Sequence, residues 1–159
     1  MSAGRGRFRG EQETIVRAQR YEPEAVEQLF DDNVEGLFRY VDSLVGDPVA
    51  SEEVVRRVWQ RALEGLPRYR RFDSGFGTWL ERIANTLIGQ APIPTGDEPE
   101  ARLRAALRRL TPDQLDVICL RFVAGLPVEE IARATGRSRI RVEALQHRGL
   151  LALRDAETA

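Results

Sequence analysis

The 159-residue chain contains no lysine, one histidine, one cysteine and no glycine-rich phosphate loop. Those absences leave it without a Walker lysine, a nucleophile–base pair or a cluster of metal ligands. Cys119 has no partner for an internal disulfide, and its place in the apolar run "LDVICLRF" makes it a core side chain. No apolar run approaches the roughly 18 residues that a membrane span needs. The basic N-terminus (Arg5, Arg7, Arg9) is not followed by the apolar stretch of a signal peptide, so the expected location is cytoplasmic with no membrane contact. The acidic pairs Asp31–Asp32 and Glu52–Glu53 fall on amphipathic helices and read as solvated face. No catalytic residue, metal site or cofactor is expected, and the chain does not read as an enzyme.

A formal net charge of -1 is too low for an ordinary DNA binder, but it hides an asymmetry. Residues 101–159 hold 11 arginines and 7 acidic residues, a balance of +4, whereas residues 1–100 hold 13 arginines and 18 acidic residues, a balance of -5. A basic half joined to an acidic half favours a nucleic-acid contact at one end and a protein contact at the other.

The hydrophobic pattern is helical throughout, and no segment alternates as a strand would. Between Glu24 and Val45 apolar residues recur at spacings of three and four, and Gly46 closes that helix. Asp47 is placed to cap a second helix with Pro48 in its first position, and Gly65 and Pro67 stop it. The segment "GTWLERIANTLIGQ" predicts a third. The proline-rich acidic stretch "APIPTGDEPE" then breaks the pattern and reads as a linker. Beyond it lie a short helix, "ARLRAALRRL", and a longer one opened by a capping box at Thr111 and Gln114. The expected organisation is all-α: an N-terminal extension over 1–23, a helical domain over 24–90, a linker over 91–100 and a second domain over 101–159. Each domain is expected to bury its own small core.

From Leu126 to Leu153 two helices meet at Gly136, with Ser138 as N-cap of the second, which is the pattern of a helix-turn-helix. At 100° per residue Val142, Leu145, Gly149 and Leu153 share one face of that second helix. Ile140, Arg141, Glu143, Ala144, His147 and Arg148 share the opposite one. Arginines on an outward face suit guanine edges and phosphates. Glu143 suits cytosine N4, or is neutralised by Arg139 four residues earlier.

The order "LTPDQLDVICLRFVAGLPVEEIARATGRSRIRVEALQHRGLLALR" resembles region 4 of bacterial sigma-70 family factors, the region that reads the promoter -35 element. Upstream, "AVEQLFDDNVEGLFRYVDSLVGDPVASEEVVRRVWQRALEGL" followed by "YRRFDSGFGTWLERIAN" resembles region 2. Two regions and a linker are similar to the extracytoplasmic-function group. The resemblance implies a sigma factor that binds core RNA polymerase through the β′ coiled coil and the β flap and directs it to promoter DNA, with an anti-sigma factor as a candidate further partner. It implies a -35 reading set of Arg137, Arg139, Arg141, Glu143, Ala144, His147 and Arg148. It implies a -10 opening set of Arg68, Tyr69, Arg70, Arg71, Phe72, Phe76 and Trp79, in which aromatic faces stack unpaired bases and arginines track phosphates. The polymerase-facing set is Glu53, Arg56, Arg57 and Gln60.

The chain departs from the family pattern in four places. Arg56–Arg57 stand where relatives carry Gln and an acid, a reversal of charge toward a basic partner. The loop "DSGFGT" is short, and the helix after Trp79 carries no basic residue beyond Arg82. The 91–100 linker reaches at most about 33 Å when extended. Two other functions are therefore open: a sigma-like decoy that binds an anti-sigma factor or another regulator, and a stand-alone helix-turn-helix regulator.

Overall fold

A computed structural model describes residues 3–70, 75–92 and 95–158. Among these residues there are eight α-helices and one short 3-10 turn: α1 (Ala3–Ala18), α2 (Pro23–Val45), α3 (Pro48–Gly65), the turn Leu66–Arg68, α4 (Gly75–Gln90), α5 (Pro99–Arg108), α6 (Pro112–Phe122), α7 (Val128–Thr135) and α8 (Arg139–Thr158). Helix ends follow the local chemistry. The Asp47 carboxylate accepts from the Ala50 amide at 2.9 Å to start α3. Thr111 and Gln114 complete the capping box of α6, each accepting from the other's backbone N–H. Gly136 ends α7 at φ 66, a left-handed conformation that costs glycine nothing and most residues about 1 kcal/mol or more.

The N-terminal extension is itself a helix. Only Thr14, Ile15 and Ala18 of its described side chains are buried, and they pack α1 against α2. Helices α2, α3 and α4 supply the centre of the larger core, including Leu37, Val41, Val58, Phe76 and Leu80. Trp59, on α3, is buried there too, its ring tilted against Phe30 and Phe76.

The buried residues form two clusters, and the larger one takes in residues from both halves of the chain. Helix α6 is apolar on two faces. Leu115, Ile118 and Cys119 join the core of α1–α4, whereas Val117 and Leu120 join Ile131, Val142 and Leu145 in a smaller cluster with α7 and α8. This double burial accounts for the unbroken apolar run around Cys119, because a helix that is apolar all round must be covered all round. Helix α8 crosses α6 closely at Gly149, where an added Cβ would lie 2.8 Å from Ile118 Cγ1.

A buried polar chain crosses the same junction. Tyr40 Oη donates to Asn85 Oδ1 at 2.6 Å, and Asn85 Nδ2 donates to Asp116 Oδ1 at 2.9 Å. Arg82 Nε donates to Asp116 Oδ2 at 3.0 Å, and Arg82 Nη1 reaches the Ala134 carbonyl at 3.1 Å. Four helices, α2, α4, α6 and α7, are thereby joined through satisfied groups, the condition under which buried polarity fixes one arrangement. Burial, and the negative charges nearby, push the Tyr40 hydroxyl pKa well above its ordinary value.

Candidate nucleic-acid interface

Helix α8 carries the first candidate surface. The Ser138 hydroxyl accepts from the Arg141 amide at 3.2 Å and starts the helix where its sequence suggests. Val142, Leu145 and Gly149 are buried, while Ile140, Arg141, Glu143, His147 and Arg148 are exposed and Ala144 is half-buried. Glu143 is engaged: Arg139 Nε lies 3.0 Å from its Oε1, and Arg139 Nη1 lies 3.1 Å from Glu129 Oε1 on α7. Those two carboxylates hold the Arg139 guanidinium above its usual pKa range and orient it along the helix-turn-helix. The outward face therefore presents Arg141 and Arg148 as its cations with His147 beside them, while Glu143 and Arg139 largely satisfy each other.

Arg137 lies apart from that face. Its side chain is turned toward α6 and pairs with Asp113 at 2.7 Å, so it fastens the turn to the N-terminus of α6. Local spacing could not reveal this pairing, because Asp113 is 24 positions away.

The second candidate surface follows α3. Arg68 and Arg70 are exposed, but Tyr69 between them is only 9% exposed and Phe76 only 1%. Both aromatic rings belong to the core: Tyr69 packs edge-on to Phe76 at 5.4 Å and tilted to Trp79 at 4.7 Å. Two members of the expected base-stacking set are thus covered on their faces, because the core of the N-terminal half closes over them. Trp79 is half-buried. Arg71 and Phe72, together with the start of the short loop, lie outside the described residues.

Arg68, Tyr69, Arg70, Thr78, Trp79 and Arg82 line an open cavity of about 350 Å³ whose rim includes Ala134 of α7. Three guanidinium-bearing side chains around the half-buried indole of Trp79 suit a phosphate-linked base. The Arg82 guanidinium is meanwhile held by Asp116 and by the Ala134 carbonyl.

The third surface is the outer face of α3. Glu53, Arg56, Arg57 and Gln60 are all exposed there, as the helical spacing predicts, with Val55, Val58, Trp59 and Ala62 turned inward. Arg56 forks onto the Glu53 carboxylate at 2.7 and 3.0 Å. That contact lowers the Glu53 pKa and raises that of Arg56.

Comparison with known proteins finds two matched regions along the chain. The sigma-70 region 2 model matches residues 29–90 and the sigma-70 region 4 model matches residues 106–155. The ECF RNA polymerase sigma factor BldN of Streptomyces coelicolor is 29% identical over 167 residues, covering 89% of this chain but 63% of that protein, so the chain spans less than two thirds of this relative. CnrH, solved in complex with the cytosolic domain of CnrY, has a similar fold, with a TM-score of 0.64, 22% identity and coverage of 91% of this chain and 95% of that one. The sigma factor RpoE from Bartonella quintana, in complex with the anti-sigma factor NepR, gives a TM-score of 0.55 at 19% identity, with 84% and 96% covered. With both regions matched in order along one chain, and with a helix-turn-helix at the matching end, this protein belongs to the sigma-70 family, in its extracytoplasmic-function group.

Proposed function

We propose that this chain is a sigma factor, a non-catalytic subunit that binds core RNA polymerase and directs promoter-specific initiation of transcription. The observation that carries this reading is the presence, on one chain, of two surfaces of complementary DNA chemistry. One is the duplex-reading face of α8 with Arg141, His147 and Arg148; the other is the arginine-lined cavity beside Trp79. The first suits base edges and phosphates in a major groove, the second a displaced single strand. In this reading α3 meets the β′ coiled coil through Glu53, Arg56, Arg57 and Gln60, and the C-terminal domain meets the β flap.

The closed packing bears on how the chain would act. While Asp116 and Ala134 occupy Arg82, the C-terminal half borders the cavity meant for the -10 strand. Docking on polymerase parts the halves and releases that edge. From the C-terminal half, Arg108 Nη1 donates to the Pro92 carbonyl of the linker at 3.3 Å.

A second reading, a sigma-like protein that binds a regulator and initiates nothing, draws its support from Arg56 and Arg57, which face solvent where a basic coiled coil would approach. The structures of RpoE with NepR and CnrH with CnrY support a protein regulator under either reading. Co-purification with core polymerase separates the two. A stoichiometric complex supports the sigma factor, and no complex under low salt supports the decoy.

A further inference from the structure

The turn that follows α3 is held from outside its own segment. Helix α1 ends beside it, and Gln19, just beyond α1, donates through Nε2 to the Leu66 carbonyl at 3.2 Å and to the Tyr69 carbonyl at 2.8 Å. The hydroxyl of Tyr21, two residues on, lies 3.4 Å from the Leu63 carbonyl. A helix leaves its last carbonyls without intrahelical donors, and here the segment between α1 and α2 supplies donors to the end of α3 and the turn that continues it.

Gln19 is itself firmly placed. Its own amide donates to the Ile15 carbonyl at 2.8 Å, extending the α1 pattern, and Ile15 and Ala18 are buried in the core. The backbone reverses immediately after it, with Tyr21 at φ 56 and the Glu22 amide bonded to the Arg17 carbonyl at 3.3 Å. The two carbonyls that Gln19 grips bracket Arg68, and the second directly precedes Arg70. Both arginines line the cavity beside Trp79.

We infer that Gln19 is a positioning residue for promoter opening: by fixing the Leu66 and Tyr69 carbonyls it sets the direction in which Arg68 and Arg70 leave the core toward the displaced strand. Gln19 lies outside the matched region 2 span of 29–90, so this assigns part of the opening machinery to the N-terminal helix. The role is indirect, since Gln19 touches backbone and not DNA. A side-chain amide is well suited to it, because one NH2 group has two hydrogens for two acceptors. A carboxylate at the same place has none to give.

The inference rests on the sigma-factor reading, so its test starts with the unaltered chain. Holoenzyme assembled from core polymerase and the natural protein is used to select a duplex promoter from a random-sequence library. Opening of that promoter is followed by permanganate reactivity of unpaired thymines. Gln19→Met, which keeps the stem and loses both donors, should reduce the opening rate about tenfold while leaving core affinity, duplex affinity and circular dichroism unchanged. Gln19→Glu should do the same, and Gln19→Arg, which restores donors, should recover most of the rate. Equal opening by the natural chain and Gln19→Met would overturn the inference, as would a loss in Gln19→Met matched by an equal loss of core and duplex binding. If the natural chain opens no promoter at all, the sigma-factor reading fails first.

Discussion

Asp116 holds Arg82 across the junction between the two halves, Oδ2 to Nε at 3.0 Å, while its other oxygen takes the Asn85 amide at 2.9 Å. The carboxylate is nearly covered, and the guanidinium keeps about a third of its side-chain surface in water, at 33%. One acidic residue of α6 is thus the meeting point for two side chains of α4.

Removing that carboxylate should loosen the halves without unfolding either. Asp116→Ala strands one buried amide and one half-buried guanidinium, a loss of roughly 2 to 3 kcal/mol for bonds to a charged group. Urea unfolding should show the lower midpoint, and limited proteolysis between Gln90 and Pro99 should accelerate. An unchanged midpoint together with unchanged cleavage would mean that apolar contacts at Leu115 and Ile118 hold the junction alone.

Glu81 gives the fold a pH dependence. Burial pushes its carboxyl up to about 7 from an ordinary value of 4.5. The folded chain then binds this proton more tightly than the unfolded chain, so stability declines as pH rises from the ordinary value through about 7 and levels off above it. Glu81→Gln should flatten that slope and stabilise the protein by about 2 kcal/mol at about pH 8, after allowance for partial exposure. Denaturant midpoints for both chains at about pH 5.5 and about pH 8 check this; a parallel decline in both would remove Glu81 as the cause.

On α8, Arg141 and Arg148 are exposed cations on a helix whose other face is buried. Replacing both with Ala should weaken binding of a selected duplex by a few kcal/mol in total, at roughly 1 to 3 kcal/mol per contact, with circular dichroism unaltered. Equal affinity for the double variant would show that the face is merely solvated.

The charge reversal on α3 falls unevenly on its two residues. Arg56 is already paired with Glu53, so Arg57 carries most of the unfavourable field toward a basic partner. Arg57→Glu should tighten core polymerase binding more than Arg56→Gln does, and the gain should shrink as salt is raised. A gain that ignores salt, or no gain in either variant, would contradict an electrostatic role.

Much of this architecture is legible in the sequence because it is written locally. The capping box at Thr111 and Gln114, Asp47 ahead of Pro48, and Gly136 at the turn each depend on residues within one helical turn. The faces of α8 follow from the same short-range geometry. The polar junction at Asp116 does not, because its partners are 34 and 31 positions away, and a buried acid in an apolar run carries no sign of its partner. The helix over the extension was hidden for a different reason: its glycines and arginines leave Ile15 and Ala18 as a short buried stripe, too few for a periodic signal. Tyr69 and Phe76 show the limit of motif reading. Aromatics between arginines suit base stacking, but the same rings also fill a core, and only their burial distinguishes the two.

Run-off transcription tests the central claim most directly. Purified core polymerase, this chain and a duplex template selected by their complex are combined, with core alone and with Arg141→Ala/Arg148→Ala as comparisons. The account predicts a transcript of defined start that requires the natural chain and falls sharply with the double variant. A chain that binds core stoichiometrically yet yields no such transcript, or one whose transcript is indifferent to those two arginines, would contradict it.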